Sequence, residues 1–197
     1  MANTYMEKEE LKSRMDRIIN WVQVCDTKAS IMLSVVSLIA GFLFTSDYML
    51  NGLQEIVKYT FVVKEKGNCS VSAVLALVCC VLTIVFVILA IYNYILVLRA
   101  KVNEDQTNDE KVKENSLIHF NHISKIADYD TFKSAMKNPS FNEEDDYLSQ
   151  IYVNAKRCSE KFHDYNDGIK WTYCGMATAI MCVISIVIYV ASNNIIR

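Results

Sequence analysis

The sequence predicts an all-α membrane protein, with three transmembrane helices and a cytoplasmic helical domain between the second and third spans. The chain is 52% hydrophobic and 21% charged, and those two classes of residue are segregated along the chain rather than mixed. One proline and five glycines in 197 residues favour helices over a loop-rich or sandwich fold.

Hydropathy divides the chain into seven predicted segments. They are a cytoplasmic amphipathic helix (1–28), a first span (29–46), an external loop (47–70), a second span (71–98), a cytoplasmic helical domain (99–170), a third span (171–190) and an external tail (191–197). A transmembrane helix needs about 20 apolar residues. The second run has no charged residue and is longer than a roughly 30 Å hydrocarbon core requires, so we expect it to tilt or project.

Lysines and arginines near the span ends predict the orientation. They are dense in the N-terminal flank, after the second span and before the third, and Arg197 alone follows the third span. This distribution places the N-terminus and residues 99–170 in the cytoplasm. The loop 47–70 also carries lysines, which reduces the asymmetry. The N-terminal residues are charged rather than apolar, so we expect no cleavable signal peptide.

Two segments beside the spans carry apolar residues at alternating spacings of four and three, which is typical of helices that pack at a shallow angle. Because each segment runs into a span, we expect both to be cytoplasmic extensions of transmembrane helices that build a homo-oligomeric bundle. The residues 166–168 (Asn-Asp-Gly) are expected to interrupt the second. The two stripes are Leu11, Met15, Ile18, Val22 and Cys25, and Leu148, Ile151, Ala155, Cys158, Phe162 and Tyr165.

The domain between spans two and three begins with a polar stretch, residues 102–115, that reads as a linker. A helix is expected from about Ser116 to Asn138, because the residue before Pro139 disfavours helix. Four consecutive acids, residues 143–146, then suit the positive end of a new helix.

The sequence holds no catalytic motif, so we expect no enzyme activity. The seven cysteines form no CxxC pair or zinc spacing. His119 and His122 have a metal-like spacing, but no third ligand accompanies them, and a structural role is preferred. We therefore expect neither a metal nor a cofactor. A net charge of −2 argues against a nucleic-acid polymer as partner.

Charged residues near the spans each leave two interpretations open. Lys156, Arg157 and Lys161 precede the third span and either attract anionic lipid or meet a phosphate. Asp26 and Lys28 flank the start of the first span. Either Asp26 belongs to a helix start and Lys28 extends toward the headgroups, or Asp26 pairs with a basic group of the cytoplasmic domain, since a charge at the membrane face is costly to leave unpaired.

Three patches carry a family resemblance. Residues 24–30 (Val-Cys-Asp-Thr-Lys-Ala-Ser) contain an Asp-x-Lys-Ala pattern, and residues 116–123 (Ser-Leu-Ile-His-Phe-Asn-His-Ile) are similar to Ser-Leu-Ile-x-Phe-Gly-x-Ile, with Asn121 in place of the glycine. In residues 146–161 an acid precedes Gln-Ile, and a lysine follows eleven positions after the glutamine. In this order around three spans, the chain resembles the transmembrane effectors of the bacterial Pycsar antiphage system.

The resemblance implies a function. A companion nucleotide cyclase makes a cyclic nucleotide, typically cyclic CMP or cyclic UMP, during phage infection. The effector, a multi-pass protein of the inner membrane, senses that nucleotide and impairs the lipid bilayer, so that the cell dies by abortive infection before phage mature.

The matched patches also imply a set of site residues. Phe120 would stack on the base, Gln150 or Asn154 would read the base edge by hydrogen bonds, and Lys161 would contact the phosphate. By the same resemblance, Asp26, Lys28, Ser116 and Asp146 are expected to have gating or structural roles.

Three other functions compete with this interpretation. The chain could be an effector gated by another cyclic oligonucleotide, which changes only the ligand. It could be a membrane scaffold that recruits a partner protein, because the apolar stripes suit that role equally well. A membrane enzyme is the least supported, since no nucleophile–base or metal set is readable.

Overall fold

The structure, a computed structural model, describes residues 2–45, 51–52, 54, 57–58, 71–99 and 116–195. The linker 102–115, most of the loop 47–70 and the last two residues lie outside that set. The helices are α1 (Ala2–Thr45), α2 (Val71–Leu98), α3 (Phe120–Ile123), α4 (Tyr129–Met136) and α5 (Glu143–Ile195), with no strand in the described residues.

Three of these helices are long and apolar enough to cross a membrane. The qualifying stretches are Lys8–Gly41, Val71–Leu98 and Glu143–Tyr189, and each overlaps one predicted span. The prediction of an all-α membrane protein with three spanning helices is therefore confirmed.

The chain folds as two compact units. Unit one combines residues 1–27 with residues 99–163, and unit two combines residues 28–98 with residues 164–197. Helices α1 and α5 contribute residues to both units, as expected of helices that extend beyond a span.

In unit one, α1 and α5 run parallel and in register. Lys8 Nζ lies 2.7 Å from Glu143 Oε2, and Lys161 Nζ lies 2.5 Å from Asp26 Oδ1. Both pairs join residues 135 apart in the sequence. An equal offset at two places along two helices is possible only if the helices point in the same direction.

The two predicted apolar stripes differ in how deeply their side chains are buried. Every member of the α1 stripe is at least half-buried, and Cys25 is fully buried. In the α5 stripe Cys158 is buried, whereas Leu148 and Ala155 are exposed. The most buried side chains near the start of α5 are instead the polar Asp146 and Gln150.

The prediction of a single helix from Ser116 to Asn138 is wrong, because this segment forms two short helices, α3 and α4. The break has a local cause. Asp128 caps α4, its carboxylate accepting from the Thr131 backbone N–H at 2.8 Å and from the Thr131 hydroxyl at 3.0 Å. These hydrogen bonds lower the pKa of Asp128. An Asp with a side chain that satisfies backbone donors starts a new helix rather than continuing an old one.

The expected ends around Pro139 are confirmed. Helix α4 ends at Met136, and α5 begins at Glu143 with four acids in its first turn. The Asn142 side chain accepts from the Glu144 backbone N–H at 3.1 Å, so a polar cap and the helix dipole both stabilise this start.

The prediction that residues 166–168 interrupt the helix is wrong, because α5 is continuous from Glu143 to Ile195. Gly168 is buried, and a Cβ added there would lie 2.6 Å from Tyr94 Cε1. The glycine therefore provides room for a tyrosine ring. Tyr94 is itself fully buried, and that packing outweighs the weak helix propensity of glycine.

In unit two, α2 packs antiparallel to α5. Three contacts order the pair: Cys182 Sγ to the Ala76 carbonyl oxygen at 3.4 Å, Thr83 to Thr178 at 2.9 Å between hydroxyls, and Tyr94 to Thr172 at 2.9 Å between hydroxyls. As the residue numbers of these contacts increase along α2, the numbers of their partners on α5 decrease. Small residues at the interface, Ala73 and Ala76, let the backbones approach closely, as in other membrane helix pairs.

Candidate functional site

The site residues in unit one are organised around the ion pair between Lys161 and Asp26. The ammonium and the carboxylate are 2.5 Å apart, and the Lys161 side chain is only 19% exposed. Asp26 lies in the middle of α1, which begins at Ala2, so the interpretation of Asp26 as part of a helix start is wrong. The alternative, that Asp26 pairs with a basic group from residues 99–170, is confirmed. Lys28 is exposed on α1.

Ser116 and Asp146 together hold the turn that precedes α3. Ser116 is fully buried, and its hydroxyl accepts from the backbone N–H groups of Ile118 and His119 at 3.1 and 3.2 Å. Asp146 Oδ2 accepts from the Leu117 backbone N–H at 2.9 Å. A buried carboxylate on α5 therefore anchors the segment that carries Phe120.

The two histidines near this turn have structural contacts. His122 Nδ1 accepts from the Ser116 backbone N–H at 3.1 Å, and the His119 and Phe120 rings stack with centroids 4.8 Å apart. Among the described residues, no group of three or more His, Cys, Asp or Glu side chains could hold a metal ion.

A buried polar face of α5 carries several side-chain atoms that have no hydrogen-bond partner within the described residues. These atoms are Asp146 Oδ1, Ser149 Oγ, Gln150 Oε1 and Arg157 Nε. Their spacings of three, four and seven residues place them on one side of the helix. We call this surface, together with Asn154 and Lys161, the α5 polar face.

Such atoms are unusual in a folded protein. Leaving a buried donor or acceptor unpaired costs roughly 1–3 kcal/mol, and native structures contain few of them. Four on one face of one helix are left to be satisfied by water or by another molecule.

The central part of the α5 polar face, from Gln150 to Arg157, has the length of a small nucleotide, whereas the whole face from Asp146 to Lys161 runs for about 22 Å. Gln150 and Arg157 are seven residues apart, or about 10 Å along the helix, and Lys161 follows Arg157 by one turn. Asn154, half-buried, lies between them. Acceptor atoms of Asp146 and Gln150 thus occupy one end, and the two cations occupy the other.

Phe120 is 68% exposed and presents one ring surface beside the stacked His119. This exposure leaves room for a further stacking partner, and the stacking of Phe120 on a base stays a prediction. The structure places Phe120 in the same unit as Gln150, Asn154 and Lys161.

The three basic residues before the third span are not equivalent. Lys156 is exposed, with its ammonium 5.2 Å from the centre of the Tyr152 ring, a cation–π contact. Arg157 Nε is buried, and Lys161 is paired with Asp26. Sequence reasoning weighed Arg157 only together with the lysines and missed Ser149. The available signal was helical spacing, since Ser149 follows Asp146 by three residues and Arg157 follows Gln150 by seven.

Comparison with known proteins identifies relatives. A family model described as the Pycsar effector protein domain matches residues 10–191. The chain is 30% identical over 174 residues to the Pycsar effector protein GmPycTM of Gulbenkiania mobilis, covering 83% of this chain and 85% of that protein. No solved structure matches the chain significantly.

Proposed function

The chain belongs to the Pycsar effector protein family, and from that premise we propose that it is a cyclic-nucleotide-activated membrane effector of an antiphage system. The ligand is a pyrimidine cyclic mononucleotide, cyclic CMP or cyclic UMP, made by a companion cyclase. Binding impairs the bacterial inner membrane and causes abortive infection. The protein itself is non-catalytic, and its N-terminus and residues 99–170 face the cytoplasm, where the nucleotide is made.

The observation that carries this proposal is the α5 polar face. Its unpaired atoms are acceptors at one end, at Asp146 and Gln150, and a donor at the other, at Arg157. A cyclic mononucleotide has donors on its base edge and an anionic phosphate at the opposite end. The direction of the polar face, and the length of its part between Gln150 and Arg157, suit such a molecule.

The proposed binding mode follows that direction. Gln150 and Asn154 read the base edge and the sugar, Phe120 stacks on the base, and Arg157 and Lys161 hold the phosphate. Arginine matches phosphate geometry through several donors. A phosphate at Lys161 would share the three donors of the ammonium with Asp26, and this sharing loosens the ion pair.

This exchange would couple ligand binding to the membrane-spanning helices. The Asp26–Lys161 pair joins α1 to α5, and each of those helices continues without a break into a stretch able to span the membrane. Loosening the pair favours a different packing of the two helices. The ligand drives that change if it binds the new arrangement more tightly than the resting one.

Calorimetric titration of the detergent-purified protein with cyclic CMP, cyclic UMP, cyclic AMP and a cyclic dinucleotide tests the proposal. Selective binding of one pyrimidine nucleotide is expected. Binding of the dinucleotide alone would reassign the chain to another cyclic oligonucleotide, and binding of none would favour a scaffold that recruits a protein partner.

Gln150→Leu is the sharpest variant for this titration. The substitution conserves volume approximately and removes an acceptor that has no partner within the described residues. We expect binding to be lost while the melting temperature without ligand stays the same or rises, since replacing an unsatisfied buried polar group by an apolar one is neutral or stabilising. A large drop in that melting temperature would instead assign Gln150 a structural role.

A further inference from the structure

Three unpaired polar atoms lie close together at the N-terminal end of the α5 polar face. Asp146 Oδ1, Ser149 Oγ and Gln150 Oε1 have no hydrogen-bond partner within the described residues. Asp146 is fully buried, and Gln150 is 4% exposed. The carboxylate oxygen and the amide oxygen can only accept hydrogen bonds. This end of the face therefore requires donors from elsewhere.

The Asp146 carboxylate cannot turn to present a donor. Its other oxygen, Oδ2, accepts from the Leu117 backbone N–H at 2.9 Å, so Oδ1 is a fixed acceptor. Gln150 differs, because rotation of its amide by half a turn exchanges the oxygen for the NH₂ group. Of the two residues, only Asp146 can discriminate between a donor and an acceptor on a ligand.

The Asp146 carboxylate also lies at the end of the site where the proposed binding mode has the base. Its partner Leu117 belongs to the turn that leads into α3 at Phe120, the residue proposed to stack on the base. Arg157, which is proposed to hold the phosphate, lies eleven residues further along α5. A base that stacks on Phe120 therefore has its edge on the side of Asp146.

The bases of the two candidate nucleotides differ at one position of their hydrogen-bonding edge. Cytosine carries an amino group there, with two N–H donors, whereas uracil carries a carbonyl oxygen, which is an acceptor. Against a fixed carboxylate oxygen the amino group gains a hydrogen bond, and the carbonyl places two acceptors face to face. A site built to hydrogen-bond one group strongly rejects an analogue that lacks it.

We propose that Asp146 selects the base, with its Oδ1 and Gln150 Oε1 accepting the two N–H bonds of an exocyclic amino group, and that the ligand is cyclic CMP rather than cyclic UMP. The two residues are four apart on one face of α5, with Cβ atoms about 5–6 Å from each other, and one amino group can bridge them. This inference rests on the proposed function and specifies its ligand.

Both acceptor atoms are closed to solvent in the structure. The base therefore reaches them only when the side chains that cover them move aside. The resting protein bears the cost of two unpaired buried acceptors, and the amino group removes that cost on binding. An acceptor in the same place on the ligand would leave the cost unrelieved.

Calorimetric titration of the detergent-purified, full-length protein with cyclic CMP and cyclic UMP tests the inference. We expect the wild type to bind cyclic CMP at least tenfold more tightly. Asp146→Asn should shift the preference to cyclic UMP, because the Leu117 N–H retains the amide oxygen and the NH₂ group then takes the position of Oδ1. Glu144→Gln removes the same charge from an exposed side chain in the same turn. It is the matched control and should keep the wild-type preference.

A ligand analogue tests the same contact without altering the protein. A cyclic CMP analogue with hydrogen in place of the amino group should bind the wild type at least tenfold more weakly than cyclic CMP. This measurement decides the matter if Asp146→Asn fails to fold. Cyclic AMP presents the same amino edge on a larger base. Preference for cyclic AMP, lost in Asp146→Asn, would support the role of Asp146 and overturn the choice of cytosine.

Two results would overturn the inference. One is equal or tighter binding of cyclic UMP by the wild type, and the other is an unchanged ratio of the two affinities in folded Asp146→Asn. Either result leaves the proposed function intact, because a pyrimidine nucleotide is still bound. Failure of every nucleotide to bind would instead reject the proposed function, and the inference with it.

Discussion

At the scale of single residues, Lys161 pairs with Asp26 in the structure. In the proposed complex it also contacts the phosphate of the ligand. The pair with Asp26 is partly exposed, so it contributes about 1 kcal/mol or less to stability. That is small enough for a bound phosphate to displace it. The sequence left open whether Asp26 belongs to a helix start or pairs with a basic group, and it did not show which of several cations would meet it.

A pair of substitutions separates the two roles of Lys161. Asp26→Asn removes the competitor and should tighten nucleotide binding several-fold, since about 1 kcal/mol corresponds to roughly a factor of five. Lys161→Ala should weaken binding by at least as much. Calorimetry on both variants is the measurement. If both weaken binding alike, the ion pair itself shapes the site and Lys161 does not contact the phosphate.

At the scale of helices, α5 owes its continuity to a contact that is distant in sequence. Asn, Asp and Gly at 166–168 weaken a helix locally, yet the Tyr94 ring of α2 packs against Gly168 and its hydroxyl bonds Thr172 one turn later. Tertiary packing therefore overrides the local preference. In the proposed mechanism an unbroken α5 is required, because a flexible break at Gly168 would prevent a change at Lys161 from reaching the membrane-spanning part of the helix.

Substitution of two glycines in α5 tests this account. Gly168→Ala should lower the melting temperature, with a cost of about 1–3 kcal/mol, because the new methyl group forces the buried Tyr94 ring to move. Gly175→Ala is the control, since a Cβ there would meet Phe86 at an ordinary 3.6 Å, and alanine favours the helix. Thermal denaturation in detergent measures both. Equal melting temperatures for the two variants would show that Tyr94 does not depend on the glycine.

At the scale of the whole molecule, the helix directions are mutually consistent. Helix α1 is parallel to α5 in unit one, and α2 is antiparallel to α5 in unit two. Each of these relations is what three successive spans that alternate in direction predict, and the N-terminal segment lies in one compact unit with residues 99–163. The distribution of lysine and arginine predicts that this unit is cytoplasmic.

Thiol labelling tests the orientation. A membrane-impermeant maleimide applied to intact spheroplasts should label the native Cys69, in the predicted external loop, and should not label Ser134→Cys, at an exposed position of α4. A Cys69→Ser background removes the first signal, and lysis should reveal the second. Labelling of Ser134→Cys in intact cells would reverse the proposed topology and remove the site from the compartment that holds the nucleotide.

The sequence by itself determined the fold class and the three spans, because uncharged apolar runs of membrane length have few alternatives in water or lipid. It also determined the inward stripe of α1 and the start of α5 at its four acids, since helical periodicity and dipole compensation act within a few residues. The family resemblance, carried by short patches around those spans, was equally readable and is confirmed by residues 10–191.

Only the tertiary structure decided which residues meet across the chain. It paired Asp26 with Lys161, buried Asp146 and Gln150 in place of part of the apolar stripe, and packed Tyr94 into Gly168. Each of these outcomes depends on side-chain packing between segments far apart in sequence, whereas periodicity and composition report only on what neighbouring residues share.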